Sequence, residues 1–327
     1  MIPLMPGHNA AAPGAVDPRF RADVLAGLSM RPRAIPARWF YDRCGSELFE
    51  EITRLPEYYP TRTETALLHR AVPEVAGLCG PGRAVVEFGS GSSAKTPILL
   101  GGIAPAAYVP IDISGDFLRD SAAELQQAFP TLPVLPLEAD FLRLVTLPGA
   151  VDGKPKLGFF PGSTIGNMEP YAAVDLLRAM RGSLGEGAQL LIGIDRVKPE
   201  AVLVPAYDDA QGVTAAFNCN LLERINRELE GTIPVAHFVH RAVWNDAASR
   251  IEMHLEATRD LRFTVAGQPF EIGAGETIHT ENSHKYGERG ARVLLRAGGW
   301  TPIGEWSDEQ GWFALILAEA QPFAAAP

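Results

Sequence analysis

Apolar positions along this chain first follow helical spacing, then alternate between short β-type runs and helices, and then change character beyond residue 197. From Asp17 the spacing Phe20, Val24, Leu25, Leu28 predicts a first helix that ends before Arg31-Pro32. A second helix is expected over Gly45 to Thr53 and a third over Thr63 to Leu78. The aromatic cluster Arg38-Trp39-Phe40-Tyr41-Asp42 precedes the second, and Leu55-Pro56-Glu57-Tyr58-Tyr59-Pro60 reads as a fixed turn before the third. Val85 to Phe88 is then an apolar strand, entered from the turn Cys79-Gly80-Pro81-Gly82 and followed by helical spacing at Lys95 to Gly102. Tyr108 to Ser114 makes a second strand, with Ser114 capping a helix to about Phe129. Leu132 to Leu137, Lys156 to Pro161 and Leu190 to Asp195 supply three more, with a helix ending near Gly182 before the last. Strands alternating with helices in this way specify an α/β chain with a parallel, doubly wound sheet.

Beyond Lys198 the alternation stops. One helix, Val213 to Glu230, precedes four β-type runs near Pro234 to Trp244, Arg250 to Ala257, Leu261 to Ala266 and Gln268 to Ile272, joined by Asn-Asp, Arg-Asp and Gly-Gln turns. A helix followed by antiparallel hairpins reads as an inserted α+β substrate domain. Lys285 to Gly298 resumes as a helix, and Trp300 to Trp306 and Trp312 to Ala320 are expected to complete the main sheet. Residues Met1 to Val16, rich in Ala, Pro and Gly and without period, are expected to form a flexible leader.

Composition narrows the class of function. With 46% hydrophobic and 21% charged residues the 327-residue chain can bury one large core or two moderate ones. A formal charge of −10 argues against a nucleic-acid or anionic-membrane partner, which would require a basic face. Cys44, Cys79 and Cys219 lie far apart, so neither a disulfide framework nor a zinc site is supported. No signal pattern or membrane-spanning apolar run is present, and a cytoplasmic location is expected.

The candidate chemistry sits at strand ends. Glu87-Phe88-Gly89-Ser90-Gly91-Ser92-Ser93-Ala94-Lys95 is a strand, loop, helix arrangement suited to a nucleotide, since glycines let the backbone approach a ligand and a helix N-terminus follows. Ser92 and Ser93 stand where a dinucleotide fingerprint continues to its third glycine, which weakens a dehydrogenase reading. The P-loop spacing is absent. Asp112 ends the second strand about 20 residues past the glycines, where ribose hydroxyls are held. Asp140 with Phe141 follows the next strand, a carboxylate to accept from an adenine amino group beside a ring to pack on the base. His237 and His240, three apart on a β-type run, point to opposite faces and form no metal set.

Taken together, Trp39-Phe40-Tyr41-Asp42, Glu57 to Glu64, Glu87 to Thr96, Gly162-Ser163-Thr164-Ile165-Gly166-Asn167, Tyr207 to Thr214, Ile251-Glu252-Met253 and Thr280 to Tyr286 resemble the class I S-adenosylmethionine-dependent methyltransferases, specifically the histidine Nα-methyltransferase family of ergothioneine biosynthesis. The resemblance covers nearly the whole chain beyond the leader. It implies a Rossmann-like methyltransferase domain (61–196 and 285–327) and a discontinuous α+β substrate-binding domain (17–60 and 197–284). It also implies S-adenosylmethionine as cofactor, with Gly89 and Lys95 at its methionine end, Asp112 at its ribose, and Asp140 and Phe141 at its adenine. L-Histidine is the implied substrate. By the same resemblance Tyr58, Asn167 and Tyr207 hold its α-amino and α-carboxylate groups, and Tyr41 and Asn167 are the catalytic pair. Glu281 and Ser283 face the imidazole with Met253 beside them. Tyr58 is chosen over Tyr59 on motif register; for Met253 plain strand packing is the alternative. The segment Asn282-Ser283-His284 is polar, a departure at the edge of the implied pocket.

The chemistry asked of such residues is coherent. Methyl transfer from a sulfonium is an in-line displacement, so alignment of a neutral amine is the main demand. With an α-amine pKa near ~8, no strong base is needed, and the proton leaves to water or a tyrosine. An acid at Glu281 suits a ring N–H, and a hydroxyl at Ser283 suits the other nitrogen. The expected product is trimethylhistidine (hercynine), made by a monomer. Another amino-acid N-methyltransferase, of the kind acting on tryptophan derivatives, and a catalytically silent S-adenosylmethionine-binding regulator are the alternatives.

Overall fold

The computed structural model describes residues 17–91, 95–113 and 115–322; the leader, Ser92 to Ala94 and the expected Ser114 cap lie outside the described residues. In chain order the elements are α1 (Pro18–Ser29), β1 (Arg33–Ala34), α2 (Arg43–Ile52), α3 (Tyr59–Cys79), β2 (Ala84–Phe88), α4 (Thr96–Ile103), β3 (Ala107–Asp112), α5 (Gly115–Ala128), β4 (Leu137–Glu138), β5 (Lys156–Phe160), α6 (Pro170–Leu184), β6 (Gln189–Asp195) and α7 (Glu200–Leu203). They continue with α8 (Val213–Glu228), β7 (Phe238–Asn245), β8 (Arg250–Ala257), β9 (Leu261–Val265), β10 (Gln268–Ile272), β11 (Thr277–His284), α9 (Glu288–Ala297), β12 (Trp300–Ser307) and β13 (Phe313–Ala320). Among the described residues no helix is long and apolar enough to cross a membrane.

The chain divides into two compact units. The first comprises the described part of Met1–Leu55 together with Val204–Val243 and Glu252–Glu281; the second comprises Pro56–Leu203, Trp244–Ile251 and the described part of Asn282–Pro327.

The second unit is built on a seven-stranded sheet of order β12-β13-β6-β5-β2-β3-β4. Strands β4, β3, β2, β5 and β6 are parallel, whereas β13 runs antiparallel to β6 and β12 antiparallel to β13. All five residues of β2 are buried, as expected of a strand covered on both faces. Val86 and Phe88 share one core with α6 and α9 residues such as Leu176 and Leu295, while Val85 shares another with α3 and α4 residues such as Leu68 and Leu99. From β2 the chain first winds outward through β3 and β4, then returns to build β5 and β6 on the other side. The reversal puts the crevice of the sheet at the carboxyl ends of β2 and β5, where such sheets take ligands.

The first unit carries α1, α2, α8, the antiparallel β9–β10 hairpin and most of a four-stranded sheet of order β1-β11-β8-β7. The hairpin turns at Ala266 and Gly267, both at positive φ (49° and 77°), the backbone that a two-residue turn between twisted strands requires. Phe217 of α8 anchors the helical side, 4.5 Å from the Phe40 ring and 5.9 Å from the Tyr41 ring between centroids.

Several elements differ from the sequence expectation. Tyr59 and Pro60 are the first residues of α3 and not part of a turn, because a proline in the first helical turn has no N–H to lose. The third expected strand, Leu132 to Leu137, shrinks to a bridge between Tyr108 and Val134 and the two-residue β4, since Pro133 and Pro136 cannot donate to a ladder. Thr277 to His284, to which the sequence reading gave no element, is an eight-residue strand, and the helix expected from Lys285 begins at Glu288.

Candidate active site

At the carboxyl end of β2 the chain leaves the sheet through Gly89 and Gly91, at φ 71° and 49°. The Gly89 N–H donates to the Ile111 carbonyl (2.8 Å), and the Gly91 N–H donates to Asp112 Oδ2 (3.2 Å), so the acid at the end of β3 faces the glycine loop. A Cβ on Gly89 would lie 3.3 Å from the Phe141 ring, which in turn packs edge-on to Phe88 and Phe160 at 6.5 and 6.1 Å. Asp140 Oδ1 accepts from the Leu142 N–H (3.2 Å), a local turn that fixes both residues after β4. Phe141 thus faces Gly89 and Asp112 faces Gly91, with Asp140 next to Phe141 in the chain. A glycine backbone open to a ligand, an acid beside it and an aromatic wall fit a nucleoside-bearing cofactor.

Beneath this loop Glu87 is fully enclosed and accepts from Thr96 Oγ1 (2.7 Å) and the Tyr108 hydroxyl (2.6 Å). Burial pushes its carboxyl up to about 7, the two hydrogen bonds holding it from rising further. Lys95 is oriented by a residue that the sequence showed only as the end of the Tyr-Tyr-Pro motif: its Nζ pairs with Glu64, which has no solvent exposure. The same carboxylate accepts the Gly162 N–H at 2.8 and 3.0 Å. Glu64 therefore fastens the loop after β5 to the lysine that follows the glycine loop.

That β5 loop, Gly162 to Asn167, carries Asn167 at the end of a short 3-10 turn. It closes on the end of β11 in the same unit, where a Cβ on Gly166 would lie 2.7 Å from the His284 carbonyl oxygen. Only glycine permits that approach. Ser283, next to it, is buried, and Lys285 Nζ donates to its Oγ at 2.7 Å. Lys285 also pairs with Asp195 Oδ2 (2.7 Å), which accepts from the Tyr59 hydroxyl (2.6 Å). Lys198 Nζ donates to that hydroxyl (2.7 Å) and pairs with Asp195 as well. Burial pushes the Asp195 carboxyl up, but the two ammonium groups outweigh it and hold it below the usual carboxylate range. Burial lowers Lys198 to about 8 against the pull of Asp195. Tyr59 is thereby committed to a buried ionic cluster, while Tyr58 stands at the N-cap of α3. The polar neighbours of Ser283 face Glu169: Asn282 Nδ2 donates to it at 3.2 Å and His284 Nε2 lies 3.8 Å away, with Arg250 at 2.6 Å.

In the first unit Tyr41 stacks edge-on to Phe49 and Phe217, at 5.7 and 5.9 Å. Tyr207 is held by residues that sequence reasoning did not assign. Asn218 Nδ2 donates to His240 Nδ1 (2.8 Å), which fixes the tautomer, so His240 Nε2–H donates to the Tyr207 carbonyl (2.7 Å). Burial holds the His240 imidazole below its ordinary value and hence neutral. Thr280 Oγ1 lies 2.8 Å from Asn218 Oδ1 and 3.1 Å from the Met253 carbonyl oxygen, which share its one proton. Met253 is buried on β8, and Glu281, half-buried, follows Thr280 on the neighbouring β11, so the two predicted readers of a substrate side chain stand on adjacent strands.

Comparison with known proteins bears directly on this arrangement. Residues 20–320 match the model of a family described as histidine-specific, S-adenosylmethionine-dependent methyltransferases. The chain is 42% identical over 305 residues to a histidine N-alpha-methyltransferase of Mycobacterium tuberculosis, covering 91% of this chain and 94% of that one. It is 39% identical to the enzyme of the same name from Mycolicibacterium smegmatis, over 95% of this chain and 98% of that one. A more distant relative, ergothioneine biosynthesis protein 1 of Neurospora crassa, is 27% identical over 89% of this chain but only 34% of its own length. With a Rossmann-like sheet, a glycine loop at its switch point and a family match over residues 20–320, the chain belongs to the histidine-specific, S-adenosylmethionine-dependent methyltransferase family.

Proposed function

We propose that this protein transfers three methyl groups in succession from S-adenosylmethionine to the α-amino group of L-histidine, giving Nα,Nα,Nα-trimethylhistidine for ergothioneine biosynthesis, as a cytoplasmic monomer. The observation that carries the reading is the 42% identity, across nine-tenths of the chain, to a histidine N-alpha-methyltransferase. The cofactor supplies an electrophilic methyl group on a sulfonium. Gly89 leaves its backbone open to the methionine end, Asp112 accepts from the ribose hydroxyls, and Asp140 and Phe141 hold the adenine. Lys95, braced by Glu64, sets the positive end of the loop.

The substrate roles follow from donor chemistry. Tyr58, Asn167 and Tyr207 orient the α-amino and α-carboxylate groups so that the amine lone pair points at the methyl group, with Tyr41 alongside. Such alignment supplies several kcal/mol of a displacement barrier, roughly 7–11 at its limit. Glu281 accepts from the imidazole N–H, Ser283 pairs with the other ring nitrogen, and Met253 packs beside the ring. The buried Lys285 contact supports the Ser283 assignment, because a hydroxyl fixed by an ammonium keeps one orientation toward a ligand.

Mass spectrometry of purified protein given S-adenosylmethionine and a mixture of the twenty amino acids tests this reading. Histidine is expected to gain one, two and then three methyl groups, with the preference lost in Glu281→Ala. Preferential methylation of tryptophan or another amino acid would overturn the substrate, and binding of cofactor with no product would overturn the activity.

A further inference from the structure

On β8 and β11 of the first unit, three side chains outside the methyl-transfer chemistry converge. Glu252 and His254 alternate with the buried Ile251, Met253 and Leu255 along β8, and His279 alternates with the buried Ile278 and Thr280 on the adjacent strand. Each offers one ligand atom, and these atoms all lie within 4.8 Å of one another. His254 Nε2 is 3.1 Å from Glu252 Oε2, and the two imidazoles stack with centroids 4.8 Å apart. The side chains are only 13% and 17% exposed at Glu252 and His254, so the donors are partly withdrawn from water.

One ring carries a second sign. His254 Nδ1 is buried and has no hydrogen-bond partner among the described residues, although buried polar atoms are nearly always satisfied. Hydrogen bonding to Glu252 accounts for one nitrogen of that ring and leaves the other unexplained.

We propose that Glu252, His254 and His279 form a binding site for a divalent first-row transition ion of the zinc type. Two imidazoles and one carboxylate are ligands suited to such ions; magnesium and calcium take oxygen ligands instead. Metal–ligand bonds of about 2.0–2.2 Å put ligand atoms roughly 3.3 Å apart, which side-chain rotation alone can reach from the observed spread. Two neighbouring strands hold the Cβ atoms in place, so the site costs little rearrangement. The ion would join β8 to β11 one residue away from Met253 and two from Glu281. The site is independent of which amino acid the enzyme methylates.

The test uses tag-free, chelator-treated protein titrated with Co2+ and then Zn2+. One equivalent of Co2+ is expected to develop visible absorption bands that Zn2+ abolishes, and Zn2+ but not Mg2+ is expected to raise the melting temperature. The variant His254→Gln/His279→Gln keeps polar side chains on both strands and should bind at least about tenfold more weakly. His69→Ala, at an exposed position elsewhere, should bind as the parent does. Circular dichroism of the double variant checks that the loss is not unfolding. Absence of bands and of any thermal shift in the parent protein, or undiminished binding in the folded double variant, would overturn the proposal.

Discussion

His240 Nε2 and the carbonyl of Tyr207 lie 2.7 Å apart, and with Asn218 on the other ring nitrogen this bond positions a tyrosine of the proposed substrate site. Replacing His240 by Phe removes this donor from a buried carbonyl, at a cost of about 1–3 kcal/mol. The Michaelis constant for L-histidine should rise roughly tenfold while that for S-adenosylmethionine stays put; steady-state kinetics with each substrate varied in turn separates the two. The folded-state depression of the His240 pKa also has a sign. The unfolded chain takes up this proton first as pH falls below about 6.5, so this contribution to stability is full above that value and is lost on acidification through the folded-state value.

Lys285 serves two partners at once, Asp195 and Ser283. Lys285→Met strips one of two cations from a buried carboxylate, and a loss of about 3–5 kcal/mol is expected in urea unfolding. Ser283→Ala touches only the far end of the same contact. It should leave the unfolding midpoint within about 1 kcal/mol of the parent and raise the Michaelis constant for histidine.

Glu87 makes the cradle sensitive to alkali. Its carboxyl, ordinarily near 4.5, is raised to about 7 by burial, so between these values the folded chain holds a proton that the unfolded chain has released. The stabilising contribution is complete below pH 4.5 and falls as pH rises through 7, by about 2–4 kcal/mol in all. Glu87→Gln retains an acceptor for Thr96 and Tyr108 without the charge. Melting temperatures measured from pH 5 to 8 should show the variant gaining on the parent as pH rises.

Gly89→Ala places a methyl group 3.3 Å from Phe141 at φ 71°, combining left-handed strain with a crowded aromatic ring. A penalty of about 1–2 kcal/mol for the backbone alone predicts cofactor affinity roughly five- to thirtyfold weaker. Isothermal titration with S-adenosylhomocysteine reads it directly. Gly91→Ala meets no atom within 4 Å, so its loss should come from strain only and be smaller.

The glycine loop and the strand before it were legible because they are fixed by local grammar. Asp112 falls at the end of β3, and a strand followed by a polar residue can be read without knowing its neighbours. Lys198, Lys285 and Asp195 could not be read that way. A lysine in a sequence looks like solvent-facing charge, and only the return of Lys285 and Tyr286 beside Asp195 and Arg196 encloses all three. His240 and Asn218 were hidden for the same reason, since their partners lie on separate elements. Thr277 to His284 escaped as a strand because its alternation runs through histidine, glutamate, asparagine and serine, which blur the contrast between buried and exposed positions. The Leu132 to Leu137 run misled in the opposite direction, apolar enough for a strand but interrupted by prolines.

The position of β13 also bears on how the protein is made. Because the strand nearest the C-terminus lies inside the sheet, between β12 and β6, the apolar flank of β6 has no partner on that side until synthesis has passed Ala320. More than a hundred residues separate the two strands in the chain. At ribosomal rates of about 5–20 residues per second the nascent chain carries that open edge for on the order of ten seconds, an interval in which chaperone supply rather than final stability decides the yield of soluble enzyme.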